Sequence, residues 1–561
     1  MKLLLTTLHA KYSHASLALP CLAASCRDII GITTIIKELT VNEPHEKLLR
    51  QLVSHHADLI AFSCYIWNIE ATLKLVSDIK KIAPETITVL GGPEASFGSV
   101  ELMSAHPALD YVVKGEGEEV FRQLLNELLS GKQSGNIPNL FYRNNGNINS
   151  GPMSNTYLAL DSIPSPFKDE LVDLSKPLIY YETSRGCPFS CAFCLSSVDR
   201  QVRSFSEERI KSDLLFLMER NISQIKLVDR TFNYDPSRAN RIWQFILQQT
   251  STSHFHFEIA ADLLTEENIT LLKKVPPNRF RFEIGVQSTS QETLERVYRT
   301  ADLAKIFTNV SRLRQETSLE LHLDLVAGLP GENYDGLLDS LQQVAKLRPD
   351  VIQIEPLKLL KGSAMRRIAE IEQYHYSDSP PYTILNTPSL AYDQICRIET
   401  IGRLLDLFYN HTGFETALKF MLFELQFAAL FDAMADQVID ENLSGYNTRR
   451  TYELFARLAK KILPPKKIEA LNDALFFDYC MVELPLMGKL PSFIHERQSA
   501  CTWPGRGALP EQTVLAPGSR SKCFRFTFCV DYRSEEWRKI ETTLTFVHIS
   551  EARQGLKVLI V

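Results

Sequence analysis

Residues 178–194 read LIYYETSRGCPFSCAFC: a short apolar run, a Ser-Arg-Gly turn, then cysteines at Cys187, Cys191 and Cys194. Three thiolates spaced Cys-x3-Cys-x2-Cys directly after a strand can all reach one small metal site, and thiolate is the ligand of iron–sulfur clusters. A structural zinc site would require a fourth Cys or His at finger-like spacing, and the following LSSVDRQVRSF supplies neither. The motif is therefore one ligand short of a closed four-iron site. Four cysteines would suggest electron transfer; three leave one iron open to an exogenous ligand and point to catalysis.

Downstream, IKLVDRTF, FHFEIAAD, RFRFEIGVQS, LELHLDLVAGLP and DVIQIEPLKLL alternate with helical patterns such as SEERIKSDLLFLMER. With LIYYETS they make six βα units, which predicts a partial (β/α)6 barrel over 178–376. Its strands carry Glu182, Asp229, Asp262, Glu283, Asp324 and Glu355 near their C-terminal ends. Charges are costly inside a barrel unless they bind something, so the set predicts a polar site at the barrel mouth.

Upstream, KLLLTTL, ITTIIKEL, DLIAFSC, ITVLGGP and DYVVKGEGE predict five parallel strands of a Rossmann-like, doubly wound α/β domain over 1–131. Such a sheet binds ligands at its carboxyl ends, here His9 to His14, Cys64 to Trp67, Gly91 to Glu94 and Gly115 to Glu118. Residues 132–177 are rich in Gly, Asn, Ser and Pro and read as a linker with one hairpin at NNGN. From 377 to 561 the chain reads as a third, mainly helical domain ending in a small sheet, KCFRFTFCVDY, ETTLTFVHI and LKVLIV. Its apolar stripe FETALKFMLFELQFAALFDAMA has the helical periodicity of core. The fold class is α/β throughout the first two units.

The 561 residues, 45% apolar and 23% charged, suit a folded chain of three or four domains. A net charge of −6 gives no global attraction to nucleic acid. The opening MKLLLTTLHAKY is too short for a signal sequence, no stretch approaches a membrane span, and 11 scattered cysteines fit a reducing cytoplasm. The cysteines at 21, 26, 64, 396, 480 and 501 read as small buried hydrophobes, and the pair Cys523 and Cys529 cannot hold a second cluster alone.

Cys-x3-Cys-x-aromatic-Cys, with Phe193 as the aromatic, at the head of six βα units resembles the radical S-adenosylmethionine superfamily. The resemblance implies a [4Fe-4S] cluster on Cys187, Cys191 and Cys194, its open iron chelated by S-adenosylmethionine, which is cleaved to methionine and a 5′-deoxyadenosyl radical. FEIGVQS resembles the segment in which Glu283 and Gln287 face that cofactor, and DLVAGLPGE the strand carrying Asp324 and Gly328 beside adenine. The usual Gly-Gly-Glu is missing from VDRTFN, where Asp229, Arg230 and Asn233 stand as replacements.

The N-terminal domain resembles the cobalamin-binding branch, on LHAKYSHASLALPCLAA, FSCYIWN, LGGPEAS and VVKGEGE. That likeness implies cobalamin near His14, Cys64, Tyr65, Gly91, Gly92, Pro93, Glu94, Gly115, Glu116 and Gly117. The Asp-x-His-x-x-Gly signature is absent, so cobalamin is expected without a histidine axial ligand. His14 alone is not a motif, and the glycines equally suit ordinary tight turns. The helical extension resembles the tail of a DUF4080-like subgroup. The branch implies methyl transfer to an unactivated carbon, with an electron donor of the flavodoxin or ferredoxin type; the substrate stays open between a small molecule and a peptide. Cyclisation or oxidation with the same cofactors, and a non-catalytic iron–sulfur sensor or redox partner, are the alternatives.

Overall fold

The computed structural model describes residues 1–131, 135–486, 490–496, 520–533, 537, 540–551 and 555–560. Cys501 lies outside the described residues.

The N-terminal strands are β1 (Lys2–His9), β2 (Thr33–Thr40), β3 (Leu59–Ser63), β4 (Ile87–Gly91), β5 (Tyr111–Val113), β6 (Leu140–Asn144) and β7 (Asn147–Ser150). They form one sheet in the order β2-β1-β3-β4-β5-β6-β7. The first five are parallel, as their unbroken apolar runs imply, because a parallel strand is covered on both faces. β1 shows this directly. Leu4 and Leu8 pack with Leu48, Leu52 and Leu75 on one side, while Leu3 and Leu5 pack with Leu19, Ala23 and Leu124 on the other. The hairpin expected in the linker forms, but β6 pairs antiparallel with β5 and thereby extends this sheet.

The second sheet comprises β8 (Leu178–Tyr181), β9 (Gln224–Leu227), β10 (His254–Ile259), β11 (Phe280–Gln287), β12 (Glu320–Ala327) and β13 (Val351–Pro356). All neighbours are parallel and lie in sequential order, with β8 and β13 at opposite edges, so the barrel is open. Strict two-residue alternation divides its faces. Phe280, Phe282, Ile284 and Val286 of β11, and Leu321, Leu323 and Leu325 of β12, are buried against the outer helices. Arg281, Glu283, His322 and Asp324, on the other face, are only half-buried. Since one face of a strand takes every second side chain, the apolar outer packing forces a polar lumen.

The edge strand β13 is closed by the helix Tyr392–Phe408. Gly402 makes the approach feasible, because a Cβ there would stand 2.9 Å from the carbonyl oxygen of Ile354. Beyond the helix, Asn410 stands in for a missing neighbour strand: its Oδ1 accepts from the Ile352 amide at 2.9 Å and its Nδ2 donates to the Ile352 carbonyl at 3.0 Å. The stripe of apolar residues expected as core forms two helices, Glu415–Leu422 and Phe427–Ala435, whose Ala417, Met421, Leu430, Phe431 and Met434 are buried. They share one continuous core with the barrel. At the C-terminus β14 (Arg520–Phe528), β15 (Thr542–Glu551) and β16 (Gly555–Ile560) form an antiparallel sheet. Phe476 and Phe477 of the helix Pro465–Val482 meet its Phe526, Phe528 and Phe546. Cys21, Cys26, Cys64 and Cys480 are buried as expected, whereas Cys396 is only half-buried.

Replacing Asn410 with Ala removes both bonds to the edge of β13, and we expect a loss of about 1–3 kcal/mol in urea unfolding. An unchanged midpoint would show that the helix alone closes this edge.

Candidate functional site

The loop after β8 turns sharply at Gly186, whose φ is +88°. A side chain there would place a Cβ 2.4 Å from the carbonyl oxygen of Gln201, so only glycine fits. The Cys187 amide donates to the Asp199 carbonyl at 3.0 Å, and the Cys194 amide to that of Cys191 at 3.1 Å. Flanking segments hold the loop: the Ala192 amide donates to Val297 O, while Ala192 O accepts from the Met365 amide, both at 2.8 Å. Behind it, Asp229 accepts from the Thr183 amide at 3.0 Å and from the Thr183 and Ser184 hydroxyls at 2.5 Å.

All three cysteines line a cavity of ≈ 260 Å³ at the carboxyl ends of the barrel strands, and among the described residues no fourth Cys or His lines it. This donor set fits a cluster with one open position. Of the residues expected at the second cofactor, Phe193, Arg230, Glu283, Gln287 and Asp324 also line the cavity. Asp229 and Gly328 do not. Asp229 is completely buried and its oxygens are taken up bracing the loop after β8. Gly328 packs against Ile384 and Leu390. Asn233 is likewise internal, bridging both backbone groups of Ala260. Gln287 adopts φ +72° at a register shift in β11, and its buried Oε1 has no hydrogen-bond partner. Strain and an unmatched buried acceptor at one cavity residue are features of a group awaiting a ligand.

The lumen below the cavity holds residues that the acid pattern alone missed. Lys226 Nζ lies 2.8 Å from Glu283 Oε2 and 3.5 Å from Glu258 Oε1, and His256 Nε2 lies 2.7 Å from the same Glu283 oxygen. His322 Nε2 stands 3.0 Å from Asp324 Oδ1. Burial opposes ionisation of Glu283, but His256 and Lys226 win and hold it below the usual carboxylate range. Burial pushes Glu258 and Asp324 up. His256, Glu283 and His322 bring three donor atoms within 4.8 Å of one another. The ammonium of Lys226 already supplies a cation at the shared Glu283 oxygen, which disfavours a metal ion there. The signal that would have found this layer is the alternation in HFHFE, RFRFE and ELHLD, where every second residue is polar.

Of the other acids expected at the mouth, Asp262 lines the cavity, while Glu182 and Glu355 do not. Glu182 is paired with Arg185 at 2.6 Å, and Glu355 with Lys358 at 3.1 Å. Arg185 also reaches Glu118 at 2.6 Å and Glu116 at 3.2 Å, and Arg203 pairs with Glu116. The GEGE strand end of the N-terminal domain is thereby clamped to the cysteine loop. Tyr382 donates to Glu94, and Lys361 pairs with Glu94 at 2.9 Å. Glu94 and Glu116, expected at cobalamin, are thus spent on docking the N-terminal domain to the barrel. Cys64 is fully buried in the domain core.

What the strand ends offer a large flat ring is aromatic. Tyr65 and Trp67 stack at 4.4 Å with an interplanar angle of 4°, and Trp67 is 47% exposed. Gly91, Gly92, Pro93, Gly115 and Gly117 lie in the turns at the ends of β4 and β5. His9 Nε2 is 2.8 Å from Glu38, and the His14 ring lies edge-on to Tyr180 of the barrel.

Residues 3–125 match the B12 binding domain, 181–344 the Radical SAM superfamily, and 373–502 a protein of unknown function model, DUF4080. A cobalamin-dependent radical SAM methyltransferase, TokK of Streptomyces tokunonensis, is 23% identical over 372 residues, 61% of this chain and 53% of TokK. The chain therefore spans about half the length of that relative. An uncharacterized methyltransferase of Pyrococcus horikoshii, PH0819, is 26% identical over 336 residues, covering 58% of this chain and 71% of that one. Among solved structures, OxsB with aqua-cobalamin and S-adenosylmethionine aligns with a TM-score of 0.58 at 15% identity, over 86% of this chain and 73% of that one. TsrM from Kitasatospora setae, with cobalamin and a [4Fe-4S] cluster, aligns at 0.56 and 16% identity, over 68% and 78%. The structural likeness is one of fold.

Arg185→Met leaves Glu118 and Glu182 buried without their partner, and we expect a loss of about 3–5 kcal/mol near neutral pH. Stranded carboxyls titrate above their unfolded value of about 4.3, so the folded state then binds more protons and stability falls as pH rises. The deficit in urea unfolding should be small near about pH 4 and grow toward about pH 8. A deficit independent of pH would contradict the assignment.

Proposed function

From a chain that joins a B12-binding domain, a radical S-adenosylmethionine domain and a DUF4080 region, we propose a cobalamin-dependent radical S-adenosylmethionine enzyme that transfers a methyl group to an unactivated carbon. The observation that carries this reading is the cavity that Cys187, Cys191 and Cys194 line together, with no fourth Cys or His lining it among the described residues. Bound there, a [4Fe-4S] cluster with S-adenosylmethionine would supply radical chemistry, and cobalamin would supply the methyl group.

The protein's own part is binding, orientation and exclusion of water. Cys187, Cys191 and Cys194 would hold the cluster, and Gly186 with Asp229 sets their loop. Phe193, Arg230, Glu258, Glu283, Gln287 and Asp324 would surround S-adenosylmethionine. Its sulfonium and ammonium carry positive charge, which suits a cavity lined by Glu258, Asp262, Glu283 and Asp324. Glu283 stays ionised beside Lys226 and His256, whereas Glu258 and Asp324 hold protons more readily. Tyr65 and Trp67 would meet the corrin, with Gly91, Gly92, Pro93, Gly115 and Gly117 supplying backbone. The Arg185 and Arg203 clamp fixes that surface against the cluster loop.

No helix among the described residues is long and apolar enough to cross a membrane. A cytoplasmic location, with an electron donor of the flavodoxin or ferredoxin type, is consistent with a cluster that needs a reducing compartment. Anaerobically reconstituted protein should show cluster absorbance, bind added cobalamin, and form 5′-deoxyadenosine from S-adenosylmethionine on reduction. Alanine at Cys187, Cys191 or Cys194 should abolish that cleavage. Once a substrate is found, recovery of labelled methyl in product separates methyl transfer from cyclisation or oxidation. A loaded cluster that leaves S-adenosylmethionine intact would sink the enzyme reading in favour of a sensor.

A further inference from the structure

The three cysteines differ in what faces them. The neutral Thr231 hydroxyl, which donates to the Arg230 carbonyl at 2.8 Å, lies 3.6 Å from Cys187 Sγ. Cys191 alone meets a cation: Arg299 Nη1 donates to its Sγ at 3.7 Å, while Nη2 donates to the carbonyl oxygen of Gly285. A further donor, Nε, is buried without a partner. Among the described residues no carboxylate lies within 4.0 Å of this guanidinium. That sets it apart from Arg185 and Arg203, which are each neutralised by acids.

A guanidinium keeps its proton at any physiological pH, and a half-buried one without a counter-charge is unfavourable. The negative charge it would face is that of a cluster held on these cysteines. Its position is also fixed rather than adaptable. Val297 O accepts from the Ala192 amide at 2.8 Å, and Tyr298 O accepts from Ser190 Oγ at 3.3 Å, so 297–299 is stitched to the cysteine loop on both sides of Cys191. Tyr298 takes φ +56° to make this fit, a strained value that the surrounding bonds sustain.

We propose that Arg299 sets the reduction potential of the cluster through Cys191. Its fixed charge and its N–H···S bond stabilise the more negative, reduced state, since cluster potentials follow net charge and hydrogen bonds to the sulfurs. The step it favours is a one-electron reduction: the electron comes from an external flavodoxin- or ferredoxin-type donor, no bond is made or broken, and Arg299 keeps its proton. Arg299 is thus a positioning residue acting on electron entry. The inference rests on the reading of Cys187, Cys191 and Cys194 as cluster ligands.

The test is a redox titration of the full-length reconstituted protein, followed by electron paramagnetic resonance without S-adenosylmethionine, comparing the wild type with Arg299→Gln and Arg299→Lys. Arg299→Gln should retain iron and sulfide but show an about tenfold lower ratio of reduced to oxidised cluster at the wild-type midpoint, a shift of about 59 mV to lower potential for a one-electron couple. Arg299→Lys, which keeps the charge but not the fork, should fall between. Equal midpoints in loaded wild type and Arg299→Gln overturn the inference alone. Failure of both variants to hold iron would overturn it too, and would assign Arg299 to assembly. Failure of the wild type to load would remove the reading of the cysteines together with it.

Discussion

Arg185 stands two residues before the first cysteine and binds carboxylates from both major units of the chain: Glu182 from its own loop, and Glu116 and Glu118 from the N-terminal domain. Little else in the structure is so constrained. Burial resists ionisation of Glu118, but Arg185 holds it ionised, and the acids in turn raise the guanidinium above its ordinary value. Each charge is tolerable in the interior only because the others are present. The cysteine loop and the aromatic ledge of Tyr65 and Trp67 consequently hold a fixed relation. A second strut, Lys361 and Tyr382 on Glu94, repeats the arrangement at another strand end.

The barrel shows how one periodicity serves packing and chemistry together. Phe255, Phe257, Phe280 and Phe282 bury the outer face with Trp243, and the alternate positions, His256, Glu258, Arg281 and Glu283, turn inward. An open barrel can accommodate such a lumen because β8 and β13 never meet. One open edge is closed without a strand, by Gly402 and Asn410, so that the polar interior is shielded there by the helical region. That role ties the C-terminal region to the site physically, through a core it shares with the barrel.

Much of this was legible in the residues. The cysteine spacing identified the three-thiol loop, unbroken apolar runs gave the five parallel strands, and alternation gave the six barrel strands. The errors share a cause: sequence shows that an acid ends a strand but not which way it points. Asp229 braces the loop instead of facing the cavity, while Glu258, one position before the end of β10, faces it. Glu94 and Glu116 are expected at cobalamin from the resemblance of LGGPEAS and VVKGEGE, yet their partners lie in segments distant in sequence. Arg299 carried no motif, since its significance comes only from lying against Cys191.

The central claim is that three protein thiolates leave one iron open. Mössbauer spectroscopy of protein reconstituted with ⁵⁷Fe, before and after S-adenosylmethionine is added, tests it most directly. The account predicts that one iron of the cluster changes its signal on addition while the other three keep theirs. Four irons that are all indifferent to S-adenosylmethionine would contradict it.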